Sequence, residues 1–176
     1  MSPPSAPGKQ RGRGIARARE SKGLERKFSR ALADHQSGRV ADAEKRYREI
    51  LRRQADHVGA LYYLALLLEQ TGRGEAAVEY MARAVEFRPG DAVLQNNFGN
   101  LLKSAGRPGD AVRAYREAIR LDPAYANACF NLGVALQEAG DPAGAREAFE
   151  ELTRRAPGDG DGWTALGTAL VEQGEP

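Results

Sequence analysis

Residues 92–125 read AVLQNNFGNLLKSAGRPGDAVRAYREAIRLDPAY, and the fold follows from this stretch. Leu94, Phe98, Leu101 and Leu102 recur at helical spacing in its first half, as do Val112, Tyr115, Ile119 and Leu121 in its second. Gly106 separates the two stripes and can take the positive φ that ends a helix. Pro123 closes the stretch, because proline cannot continue a helix and keeps the preceding residue extended. Two short amphipathic helices joined by a tight turn are predicted.

The same pattern recurs on both sides. Glycine stands at Gly38, Gly72, Gly106, Gly140 and Gly174, always 34 residues apart. Ala43, Ala77, Ala111 and Ala145 keep step, and large side chains follow at Tyr47, Met81, Tyr115 and Phe149. Pro89, Pro123 and Pro157 close three units, with Ala55 in that slot of the first. Ala31, Ala65, Gly99, Gly133 and Gly167 hold a small-residue slot seven positions before each turn glycine. A fixed period of this length marks a stack of supersecondary units rather than a domain with one central core.

On these residues the chain resembles the tetratricopeptide repeat family. Phe98-Gly99, Leu102, Gly106, Ala111, Tyr115, Ala118 and Pro123 match that family's 34-residue pattern, and the resemblance covers residues 24–176. It implies an all-α fold, a right-handed α-solenoid of antiparallel helix pairs. The expected units are 24–57, an N-terminal capping repeat, then 58–91, 92–125 and 126–159, and then 160–176 as the first helix of an incomplete fifth. Lys27, Arg30 and Asp34 stand where the second unit has Leu61, Leu64 and Leu68, so the first unit is expected to turn a polar face outward. Trp163, Leu166, Ala169 and Leu170 form a good first helix, but the chain stops where its partner helix should begin, which reads as a truncation or a lost C-terminal region.

Composition and charge narrow the function. Hydrophobic residues make up 41% and charged residues 28%, with a formal net charge of +2. That small total conceals an asymmetry. Residues 1–57 hold fifteen Lys/Arg against seven Asp/Glu, a net +8, and residues 58–176 hold eleven against seventeen, a net −6. Residues 1–23 are rich in Pro, Gly and Arg and poor in apolar side chains, and are expected to be a disordered basic tail, turning helical after Ile15. The tail offers at most a weak contact to nucleic acid or an anionic surface. No stretch is long and apolar enough to span a membrane, and a cytoplasmic protein of bacterial type is expected.

Nothing in the sequence points to catalysis or a cofactor. Arg11-Gly12-Arg13-Gly14 and Gly72-Arg73-Gly74 lack the lysine and hydroxyl residue of a phosphate loop. His35 and His57 have no partner constellation at helical reach, and the single cysteine, Cys129, falls on a packing slot shared with Trp163.

The expected site is the concave surface. The resemblance implies that the first helix of each unit lines an inner groove for a protein or peptide partner. The candidate peptide-binding residues are Tyr62, Tyr63, Asn96, Asn97, Asn100, Lys103, Asn127, Phe130 and Asn131. Asparagine amides both donate and accept, which suits an extended peptide backbone, and the aromatic rings add apolar area. Asn97 and Asn131 share one slot, one unit apart. That pair resembles the asparagine ladder in the repeats of O-linked N-acetylglucosamine transferases and SPINDLY-like proteins. The dicarboxylate clamp known in the family is not expected, because Asn96, Asp161 and Ala165 stand where it needs cations. Two functions follow as expectations. The first is a non-catalytic interaction module binding an extended peptide or partner helix. The alternative is the N-terminal substrate-recruiting repeat region of a longer protein glycosyltransferase or of a bacterial repeat-containing sulfotransferase.

Overall fold

The computed structural model describes the backbone of residues 7–174 and the side chains of residues 21–174. Among the described residues there are nine helices and no strand: α1 (Pro7–Gln36), α2 (Val40–Arg53), α3 (Val58–Gln70), α4 (Gly74–Phe87), α5 (Ala92–Ser104), α6 (Pro108–Leu121), α7 (Ala126–Glu138), α8 (Pro142–Arg155) and α9 (Gly160–Glu172). Each helix packs on the next, and α1 and α5 also touch α3 and α7 respectively. The result is an all-α solenoid of antiparallel helix pairs. Its core is a continuous apolar layer from Leu24 to Ala169 with no single centre.

The turn glycines set the pair geometry. Gly38, Gly72, Gly106, Gly140 and Gly174 have φ between 73° and 80°, and they are the positive-φ glycines among the described residues. At Gly106 the backbone N–H donates to Lys103 O at 2.9 Å and the next N–H, of Arg107, to Leu102 O at 2.9 Å. These are the two bonds of a Schellman end, which satisfy the last carbonyls of α5 and fold the chain back. The helix starts are also prepared. Asp91 Oδ1 accepts from the Val93 and Leu94 N–H groups, Asp141 caps α8 through the Gly144 N–H, and Pro108 and Pro142 sit at the first helical positions of α6 and α8. The residue before Pro123, Asp122, is extended with ψ of 94°, and the residue before Pro157, Ala156, has left the helical region with ψ of 71°.

Packing within a pair rests on one large residue against one small slot. Tyr47, Met81, Tyr115 and Phe149 on the second helices are fully buried. A Cβ added at Gly99 would lie 2.5 Å from Tyr115 Cε1, and one at Gly133 would overlap the Phe149 ring. Gly167 occupies the same slot on α9 and has nothing within 4 Å.

The structure departs from the sequence expectation at the N-terminus. Helix α1 begins at Pro7, so residues 7–15 are helical as well, ahead of the helical turn expected after Ile15; residues 1–6 lie outside the described residues. Once Leu24–Gln36 is helical, each residue added upstream fixes one more backbone bond, without the cost of a new nucleus. The Arg, Lys, Ala, Gln and Glu of this stretch favour that extension over the roughly 1 kcal/mol cost of each glycine. Asp34 also differs. Arg30 is exposed as a polar outer face requires, but Asp34 is only 5% exposed. Its Oδ1 accepts from Arg39 Nε and Nη2 at 2.9 and 2.7 Å, and its Oδ2 from Arg46 Nε at 2.5 Å. A buried carboxylate is tolerated here because charged donors satisfy both oxygens.

Two outcomes follow. Gly133→Leu is expected to destabilise the array by ~1–3 kcal/mol, whereas Gly167→Ala should stabilise α9 by about 0.5–1 kcal/mol, since its Cβ meets open space. Denaturant titration followed by circular dichroism separates the two. The bonds from Arg39, and then Arg46, hold the Asp34 carboxyl below its ordinary value. A depressed folded-state pKa stabilises above the unfolded carboxylate range, near pH 4, and that stability is lost as pH falls through the lowered value. Asp34→Asn should therefore melt below the wild type at pH 7, with the gap closing towards pH 3.

Candidate functional site

Helices α5 and α7 lie in successive pairs and touch, so residues 31 to 35 positions apart meet side by side. Asn131 Nδ2 donates to Asn96 Oδ1 at 3.0 Å and to Asn100 Oδ1 at 3.3 Å. Asn100 Oδ1 also accepts from the Tyr115 hydroxyl at 2.7 Å. Tyr115 is fully buried, and that burial pushes its phenol pKa up, so the hydroxyl stays protonated and donates. One unit earlier, Asn97 Nδ2 donates to the Tyr62 hydroxyl at 3.2 Å. Burial also raises the Tyr62 phenol.

This network lines a polar cavity of about 420 Å³ formed by α5, α7 and the start of α9. Six of the nine candidate residues come together there: Asn96, Asn97, Asn100, Asn127, Phe130 and Asn131. Asn96 is 4% exposed and Asn127 is exposed. The other three lie elsewhere. Tyr62 reaches the cavity only through Asn97. Tyr63 stacks on Tyr47 at 6.4 Å and meets Tyr62 edge-on at 5.0 Å, in an aromatic cluster that also holds Phe28. Tyr63 also lines a separate hollow of about 320 Å³ with Leu32, His35, Gln36, Leu66 and Gln70. Lys103 pairs with Glu138 at 3.4 Å, across the later turns of α5 and α7.

Three cavity residues were not among the candidates: Tyr125, Asp159 and Asp161. Tyr125 and Asp159 share the last slot of a unit, the N-cap position that Asp91 and His57 fill elsewhere. The signal was periodic and therefore readable, but the first-helix slots alone do not include the cap that precedes each helix. The two histidines have structural roles. His57 Nδ1 accepts from the Ala60 N–H at 3.0 Å and caps α3, and His35 bridges Tyr47 and Gln70. Cys129 is 2% exposed and burial raises its thiol pKa, so it packs rather than reacts.

The family model for the tetratricopeptide repeat matches residues 28–92, 96–160 and 130–176. The chain belongs to the tetratricopeptide repeat family. No curated protein matches it. Among solved structures, this tetratricopeptide chain is similar to the MamA protein, with 21% identity and a TM-score of 0.80 over 88% of this chain and 84% of that one. It is also similar to YrrB, described as a TPR protein with an unusual peptide-binding site, with 18% identity and a TM-score of 0.73 over 87% and 82%. A Thermobaculum terrenum O-GlcNAc transferase aligns at 29% identity and a TM-score of 0.67, over 78% of this chain but 27% of the enzyme. The first two likenesses show the fold alone.

Asn100 has a structural duty that is separable from binding. Asn100→Leu leaves the buried Tyr115 hydroxyl without an acceptor and should cost ~1–3 kcal/mol. Adding Tyr115→Phe should recover most of that loss, which a double-mutant cycle of denaturant midpoints would measure.

Proposed function

We propose that this chain is a non-catalytic protein-interaction module that holds an extended peptide segment over the α5–α7 groove. The supporting observation is the set of amide atoms that the internal network leaves over. Asn96 Nδ2, Asn97 Oδ1, Asn100 Nδ2 and Asn131 Oδ1 take no hydrogen-bond partner from the described residues, and all four side chains line one cavity. An extended backbone presents N–H and C=O groups in alternation, which matches a mixed donor and acceptor surface. Phe130 supplies an apolar wall beside them. No helix among the described residues is long and apolar enough to cross a membrane. A cytoplasmic location fits the single cysteine, buried and unpaired.

A second reading is favoured by the likeness to the O-GlcNAc transferase, whose aligned part is about a quarter of that enzyme. Here the same groove recruits substrate segments for a longer transferase. The coding sequence after Pro176 separates the two readings, since a transferase domain in frame supports the second.

Each neutral hydrogen bond is worth about 0.5–1.5 kcal/mol, and tenfold in affinity is 1.4 kcal/mol. Asn97→Ala/Asn131→Ala should therefore weaken captured peptides by roughly tenfold or more while the circular dichroism melt stays cooperative. Fluorescence polarisation with peptides selected from a display library provides the measurement. Unchanged affinity for every selected peptide would remove the groove from the account.

A further inference from the structure

The groove cavity carries charge of one sign. Asp159 and Asp161 line it together with the asparagines, Tyr125 and Phe130, and no lysine, arginine or histidine does. Neither carboxylate has a cationic partner among the described residues. Asp159 Oδ1 is engaged as the cap of α9, accepting from the Asp161 and Gly162 N–H groups at 3.1 and 3.3 Å. The Asp161 side chain is exposed at the rim. The starts of α7 and α9 contribute roughly +0.5 of a charge each, against two full carboxylates, which leaves roughly −1 in the cavity. An independent feature faces the same space. Asn96 is 4% exposed and its Oδ1 is engaged by Asn131, but its Nδ2 meets no protein acceptor. That N–H, open to the cavity, can donate to a carbonyl of a bound segment. The ring of Phe130 forms a wall on which an organic cation can rest.

We propose that this cavity is a subsite for a lysine or arginine residue of a partner polypeptide. Its cationic head lies against Asp161 and the free oxygen of Asp159, its stem runs along Phe130, and a backbone carbonyl of the same segment accepts from Asn96 Nδ2. The inference rests on the groove reading above and adds a specificity to it. An acidic or apolar residue at that position of the segment is disfavoured, because it brings a like charge or leaves both carboxylates unpaired.

The test is selection from a random nine-residue peptide display library on the full chain and on Asp159→Asn/Asp161→Asn. Asparagine keeps the N-cap of α9 while removing the charge, and a matching melt shows that the fold is kept. The expected result is enrichment of Lys or Arg at one fixed position on the wild type, lost on the double variant. Affinity for a selected basic peptide should also fall at least tenfold between 50 and 500 mM salt. Enrichment of peptides without a fixed basic residue, or one that persists on the double variant, overturns the cation subsite and leaves the groove standing. Failure to enrich any peptide, or peptides insensitive to Asn97→Ala/Asn131→Ala, overturns the groove itself. The basic N-terminal stretch, with Lys9, Arg11, Arg13, Arg17, Arg19 and Lys22, is a competing occupant if supplied by a second copy. Self-association in sedimentation velocity that disappears both on removal of residues 1–20 and in Asp159→Asn/Asp161→Asn would assign the cavity to that copy and overturn the separate partner.

Discussion

One contact recurs through the molecule and the rest of the structure depends on it: a large side chain of a second helix seated on a slot of the preceding helix that carries almost no side chain. Tyr115 fills the space over Gly99 and Phe149 the space over Gly133. The helix backbones approach closely there because no Cβ stands between them, and dense packing then leaves little room for substitution. Each pair has only two short helices and cannot bury both faces alone, so the pairs stack and share one continuous apolar layer. The left-handed turn glycines keep that contact in register, because a helix end fixed by two backbone bonds returns the chain at one angle in every unit.

The groove is a consequence of this stacking. Neighbouring slots on successive first helices come within hydrogen-bond distance, which is how Asn131 meets Asn96 and Asn100 rather than Asn97, the residue of its own slot one unit earlier. The asparagines thus have two duties. Some of their atoms tie one repeat to the next and satisfy the buried Tyr115 hydroxyl, and the others remain directed at the cavity. A surface whose side chains are held by one another is preorganised, so a bound segment does not have to order them on arrival.

Charge is partitioned along the stack. The basic excess lies in residues 1–57 and the acidic excess in residues 58–176. In the first pair the acids are taken up by arginines: Asp34 is enclosed by Arg39 and Arg46, and Glu44 receives Arg48 and, from the second unit, Arg73. In the groove cavity the two aspartates are not so enclosed. The same residue type serves packing at one end and faces open space at the other.

The period of 34, the helix-pair architecture and the recurring small-residue slot were legible in the sequence, because local rules govern them: helical spacing of apolar residues, glycine at a left-handed turn, proline after a helix. That Tyr115 and Phe149 are what fill the space over Gly99 and Gly133 came from the structure. Six of the nine candidate groove residues were placed in one cavity by slot position alone. Tyr62, Tyr63 and Lys103 fell outside it, because a slot gives a direction from the helix but not the side chain that arrives from the neighbouring unit. Tyr63 was drawn into a stack with Tyr47, and Lys103 was taken up by Glu138. Tyr125 and Asp159 entered the cavity because they stand at the N-cap positions of α7 and α9 and overhang its end, and Asp161 because it lies in the first turn of α9. The burial of Asp34 likewise depended on two arginines five and twelve residues away, arriving from the turn and from α2. What the sequence determined was the repeat and its local geometry, since each rule acts within a few residues. Which polar atoms were satisfied and which were left to face the cavity was decided only when residues 31 to 35 apart in the chain came into contact.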